Sequence, residues 1–176
     1  MAIVVVGGSG RGVGKTALVC GLIAALPEFR WTAIKITSHD HGQPKPVWEE
    51  TQPGLGTDTA RCLAAGARRA MLLTAEPEEM ERVVLPLLQP LLEQQQNPIL
   101  ESNSILGLLR PDLCLGVKGE AGTEHKPSFG LVMERADVLV MLAAQDEKVE
   151  GTRPLFRLAA MERISPEMQA WLRGKL

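Results

Sequence analysis

Apolar residues along this chain fall in short blocks broken by glycine, proline or charge, and the blocks are of two kinds. The first kind is a continuous β-branched or aliphatic run: AIVVV (Ala2 to Val6), WTAIKI (Trp31 to Ile36), AMLLTA (Ala70 to Ala75), PILES (Pro98 to Ser102), DLCLGV (Asp112 to Val117) and DVLVML (Asp137 to Leu142). Short runs without polar alternation predict strands covered on both faces, as in a parallel sheet. The second kind is longer and richer in helix formers. TALVCGLIAAL, Thr16 to Leu26, is apolar nearly all round, which predicts a buried helix closed by Pro27. EPEEMERVVLPLLQPLLEQQQ opens with proline and acids, as a helix N-terminus does, while Pro86 and Pro90 predict either one bent helix or two short ones. Near the end, Ser165 and Pro166 predict the N-cap and first residue of a closing helix.

Strands alternating with helices imply an α/β fold in which helices cover both faces of the sheet and right-handed crossovers join its strands. A length of 176 residues suits a single domain over positions 1–176, able to bury roughly 70% of its unfolded surface. With 45% apolar and 23% charged residues the composition is that of an ordered globular chain. The net charge of −2 supplies no basic field, so nucleic acid and anionic membrane are not expected partners. The N-terminus has no basic leader region and its apolar run is short, which predicts a cytoplasmic protein. Cys20, Cys62 and Cys114 lie far apart in sequence without a CxxC spacing, so reduced thiols are expected rather than a disulfide framework or zinc site. The irregular stretches Ser38 to Gly56 and Lys118 to Ser128 are expected to carry ligand contacts.

The chemistry concentrates in GGSGRGVGKT, Gly7 to Thr16, set between the first strand and the first helix. A loop in that setting aims backbone N–H groups and a helix N-terminus at one anion. Gly14 allows close backbone approach, Lys15 reaches the β- and γ-phosphates of a nucleoside triphosphate, and the Thr16 hydroxyl suits Mg²⁺. Gly10, Gly12, Val13 and Ala17 complete the expected phosphate-binding set. The pattern GxxxxGK[ST] asks for glycine at position 9, where this chain has Ser9. Arg11 is either a further phosphate ligand or a solvated loop residue. The second acid of such a site lies at the carboxyl end of an apolar strand beside the one that feeds the loop, and Glu101 fits as a magnesium and catalytic candidate.

Gly8 to Thr16 resembles the phosphate loop of dethiobiotin synthetases, which also lack a glycine at the position of Ser9. AIKITSHDHG (Ala33 to Gly42) and GTDTARCLAAGARRAMLL (Gly56 to Leu73) resemble the molybdopterin-guanine dinucleotide biosynthesis protein B family, and the likeness runs as far as Glu101. Together these resemblances imply a three-layer P-loop NTPase with a mostly parallel sheet of six or seven strands. They implicate Lys15 and Thr16 in nucleotide and Mg²⁺ binding, and set Lys35 and Asp40 at the mouth of the second strand. Lys35 is thereby a catalytic candidate, and Asp40 either a catalytic and magnesium residue or a solvated aspartate. Asp58 reads as a helix cap ahead of a catalytic group. Ser102, Asn103 and Ser104 depart from the family pattern, and either contact substrate or cap the next segment.

His39 and His41 flank Asp40, with loop or substrate contacts preferred over metal ligation because alternate residues of an extended segment face opposite ways. His125 reads as solvated, and Trp48 and Trp171 as packing residues. No Asn-Lys-x-Asp sequence is present to read guanine, so ATP and GTP both stand, with Gln145 or Asp146 as base contacts. Three functions remain open. The first is a nucleotide-hydrolysing adaptor that assists a protein partner in molybdenum cofactor assembly. The second is a dethiobiotin synthetase-like or kinase-like enzyme moving a γ-phosphoryl group to a small acceptor. The third is a regulatory ATPase. The resemblance also implies homodimers that pair across the nucleotide edge.

Overall fold

The structure is a computed structural model and describes residues 1–38, 46–119, 127–144 and 152–176. Its first half runs β1 (Val4–Gly8), α1 (Lys15–Ala25), β2 (Trp31–Thr37), β3 (Val47–Glu50), α2 (Asp58–Ala64), β4 (Arg69–Thr74) and α3 (Met80–Glu93). The second half runs β5 (Asn97–Glu101), β6 (Leu113–Val117), α4 (Phe129–Arg135), β7 (Val138–Leu142), β8 (Leu155–Leu158) and α5 (Pro166–Arg173). The strands form one sheet in the order β3-β4-β2-β5-β1-β6-β7-β8. Every pairing is parallel except β3 with β4.

All six apolar runs form strands, and the sheet gains two more at its edges, making eight. The additional strands escape the apolar pattern for a physical reason. β3 is VWEE, with Trp48 and Glu49 exposed, and β8 is LFRL, with Arg157 exposed. An edge strand has one neighbour and can leave a face wet, so its sequence need not be an apolar block. Trp48, expected to pack, is 42% exposed on β3. Trp171 does pack, edge-on to Phe156 at 5.8 Å between ring centroids.

β1 alternates its valines between the two faces. Val4 and Val6 join a core with Leu18, Leu22, Trp31, Met168 and Leu172 beneath α1 and α5, while Val5 joins Ile34, Leu73, Val84, Leu88 and Val132 beneath α3 and α4. That two-sided burial is what an unbroken valine run encodes. α3 continues through both prolines as one helix. Its buried residues are Met80, Val84, Leu88 and Leu91, whereas Pro86 and Pro90 lie on the exposed face, where water can satisfy carbonyls left without an N–H. Ser165 caps α5 as expected, its hydroxyl accepting from the Met168 N–H at 3.2 Å. No helix among the described residues is long and apolar enough to cross a membrane.

Candidate functional site

The glycine-rich loop leaves the carboxyl end of β1 and enters α1. Its turn needs left-handed backbone at Gly12 (φ 76°) and Gly14 (φ 97°), conformations in which a side chain is strained. Gly14 is the residue that precedes the first turn of α1, so Lys15, Thr16 and Ala17 begin the helix with N–H groups unused by the helix itself. Val13 and Ala17 pack against the core and anchor the loop from below. Lys15 reaches across it, donating from Nζ to the Gly10 carbonyl at 2.5 Å.

Ser9 has a definite place. It is only 1% exposed. Its N–H donates to the Val117 carbonyl at 2.9 Å, and its Oγ accepts from the Gly119 N–H at 2.8 Å. A glycine would keep only the first of these bonds. The serine thereby ties the loop to the end of β6.

Asn103 holds the other side. Ser102 donates its N–H to the Val6 carbonyl at 3.2 Å, after which the chain turns away from β1 into a 3-10 turn at Ser104–Gly107. The Asn103 side chain then accepts from the Gly8 N–H at 2.8 Å and donates to the Gly8 carbonyl at 2.9 Å. Its amide stands in for the peptide group that β5 no longer supplies. The same Nδ2 donates to Ser128 Oγ at 3.2 Å, at the start of α4. Ser102 Oγ accepts from the Ile105 N–H at 3.3 Å. Ser102 follows the capping reading of this run, whereas the Asn103 side chain binds the glycine-rich loop and does not cap.

Glu101 ends β5 between Val6 of β1 and Lys35 of β2 in the sheet register. It is 7% exposed. Thr16 Oγ1 donates to its Oε2 at 2.6 Å, and Lys35 Nζ to its Oε1 at 3.2 Å. Lys35 also hydrogen-bonds Asp58 Oδ2 and lies 3.5 Å from Thr16 Oγ1. Burial works to lower the Lys35 pKa, but the Glu101 charge and the hydrogen bond and charge of Asp58 outweigh it and raise it. Burial likewise works to raise that of Asp58, but Lys35, Arg61 and Thr16 hold it below the usual carboxylate range. Both groups are therefore charged at neutral pH.

Asp58 thus corrects its expected role as cap. The N-cap of α2 is Thr57, whose hydroxyl accepts from the Ala60 N–H at 3.0 Å. That leaves Asp58, one residue on, to face β2. A signal existed: a lysine in the otherwise apolar run of β2 needs carboxylate partners to be half-buried at all. Below the cluster lies a cavity of about 10 Å³, the space of a single water molecule, lined in part by Lys35, Asp58, Thr59, Cys62 and Glu101. Cys20 of α1 and Cys62 of α2 meet one turn away, Sγ to Sγ at 3.9 Å, and all three cysteines are free.

Asp40, with His39, His41, His125, Gln145 and Asp146, lies outside the described residues. Among the described residues there is no group of three His, Cys, Asp or Glu side chains able to hold a metal. The structure brings Gly10, Gly12, Val13, Gly14, Lys15, Thr16 and Ala17 together with Lys35 and Glu101 at the carboxyl edge of the sheet, and adds Asp58 and Asn103.

Sheet and helices together define the fold class, an α/β fold with a mostly parallel eight-stranded sheet among the described residues. The chain resembles LpxK from Aquifex aeolicus, solved by crystallography in complex with ATP, with a TM-score of 0.55 at 19% sequence identity, over 88% of this chain and 53% of that one. It therefore spans about half the length of LpxK. No protein-family model matches the chain. No curated protein matches it. These comparisons reach the fold class and neither of the two families named above.

Proposed function

We propose that the protein binds a nucleoside triphosphate with Mg²⁺ at this edge and cleaves its terminal phosphoanhydride bond, by hydrolysis or by transfer to an acceptor. One observation carries the reading. Thr16, Lys35, Asp58 and Glu101 converge from α1, β2, α2 and β5 on a single point beside the N–H groups of the loop. ATP is the nucleotide named for LpxK, and we carry it to this chain as the first to test.

The donor set suits magnesium. A threonine hydroxyl and two carboxylates are hard oxygen ligands, and the Lys35 ammonium already occupies the space between them as a stand-in cation. Thr16, Glu101 and Asp58 would hold the ion, directly or through water; Asp40, placed by resemblance, is a further candidate. When bound, Mg²⁺ neutralises charge on the β- and γ-phosphate oxygens. The loop N–H groups and Lys15 bind the phosphates, and positive charge from Lys15 and Lys35 stabilises the charge that develops on the transferring group. The cavity at the cluster has the space of a single water molecule. The role in molybdenum cofactor assembly rests on the second-strand resemblance alone.

Calorimetry with ATP and Mg²⁺ tests the proposal. Wild-type protein binds and Lys15→Ala does not; equal affinity for both overturns it. Release of inorganic phosphate by the wild type alone distinguishes hydrolysis from transfer.

A further inference from the structure

Lys35 is bonded in an unusual way for a residue expected to meet phosphate. Among the described residues, the three oxygens that its ammonium approaches belong to the candidate magnesium ligands. They are Glu101 Oε1 at 3.2 Å, Thr16 Oγ1 at 3.5 Å and Asp58 Oδ2, and they come from three separate elements. We infer that the Lys35 ammonium is a built-in cation, which holds these ligands together before a divalent ion arrives and must leave them when it does. The inference rests on the reading of Thr16, Asp58 and Glu101 as metal ligands.

Charge and geometry carry the argument. Asp58 and Glu101 bring two negative charges to the site, and without a cation between them they repel each other and any incoming phosphate. Lys35 offsets one of them, and Arg61 reaches Asp58 from the solvent side at 3.5 Å. A divalent ion needs the lone pairs that Lys35 now uses, at 2.0–2.1 Å for magnesium. An ammonium left on the same oxygens would lie within about 4 Å of that ion, close enough for like charges to repel even in a well-screened site. Lys35 can leave because its stem is long and flexible, and its side chain retains 26% exposure. Once released, its charge stands at the carboxyl end of β2 beside the phosphate loop, available to an anion. Cation loading and release of Lys35 are thus two sides of one equilibrium, each biasing the other.

Titration with Mn²⁺ alone, without nucleotide and read by electron paramagnetic resonance at neutral pH, tests the inference. Lys35→Met binds Mn²⁺ about tenfold more tightly than wild type, because no internal cation has to be displaced. Equal or weaker affinity, or no Mn²⁺ binding by either protein, overturns it. The wild type gives a second readout that needs no variant: acetylation of Lys35, followed by peptide mass, speeds up when Mg²⁺ is added. An unchanged or slower rate at a Mg²⁺ concentration that saturates the site overturns the inference as well. Nucleotide binding is measured separately, so a protein that ignores ATP but shows both cation effects refutes the proposed function and leaves the role of Lys35 standing.

Discussion

Replacing Asn103 by alanine should destabilise the protein well beyond what an ordinary surface substitution does. The variant loses three hydrogen bonds, two to the Gly8 backbone and one to Ser128. Gly8 lies at the buried end of β1, so both of its backbone groups are left unpaired on the side where β5 has ended. A buried polar group without a partner costs about 1–3 kcal/mol, and partial entry of water reduces that, so a loss of about 2–4 kcal/mol is expected for the pair. In a chain of this size each kcal/mol moves the melting temperature by about 2–4 °C, which predicts a fall of about 4–16 °C. Urea unfolding followed by circular dichroism gives the free energy, and an unchanged slope shows that the native state alone is affected. Asn103→Asp separates the two bonds. It retains an acceptor for the Gly8 N–H but turns a carboxylate oxygen toward the Gly8 carbonyl, and should be no more stable than the alanine variant. A loss below about 0.5 kcal/mol for Asn103→Ala, the range of neutral surface changes, would refute the account of this side chain as a substitute for the strand.

Three further outcomes follow from the geometry. Gly14→Ala should cost at least about 1–2 kcal/mol, since φ is 97° there and the added Cβ would meet Met161 Cγ at 2.7 Å; an unchanged melting temperature would contradict this. Ser165→Ala removes the α5 cap and should cost about 1 kcal/mol in urea unfolding, while Ser165→Asp should retain most of the stability. Cys20 should react first with iodoacetamide in the native protein. The Cys62 hydrogen bond lowers its pKa, so its thiolate forms earlier as pH rises, whereas burial pushes Cys114 up to about 12. Labelling of Cys114 at the rate of Cys20 would show that burial does not protect it.

The fold was legible where burial is symmetrical. Strands covered on both faces must be apolar throughout, and each of the six apolar runs became one; β3 and β8, wet at the edges, carry no such signature. The glycine-rich loop was legible as a strand-to-helix turn because its left-handed backbone restricts residue type at Gly14. Glu101 could be placed by its position at the end of an apolar strand. Asp58 and Asn103 were misread or left open for a common reason. Each acts on a residue far off in sequence, Lys35 and Gly8 respectively, so only the stacking order of the strands reveals the partner. Thr57 and Asp58 are both good caps, and local chemistry alone does not choose between them.

The antiparallel edge formed by β3 bears on how this protein behaves in a crowded solution. A sheet that ended at β4 would offer an apolar row of unpaired N–H and C=O groups to any extended chain. Here the row is covered by a strand of four residues whose second half is Glu49 and Glu50, with Glu49 held in a two-point pair to Arg69 at 2.7 and 2.9 Å. A second molecule adding its own β3 in parallel register would set Glu49 and Glu50 against their counterparts. The short, half-acidic β3 edge thus disfavours parallel, in-register growth of the sheet from this end.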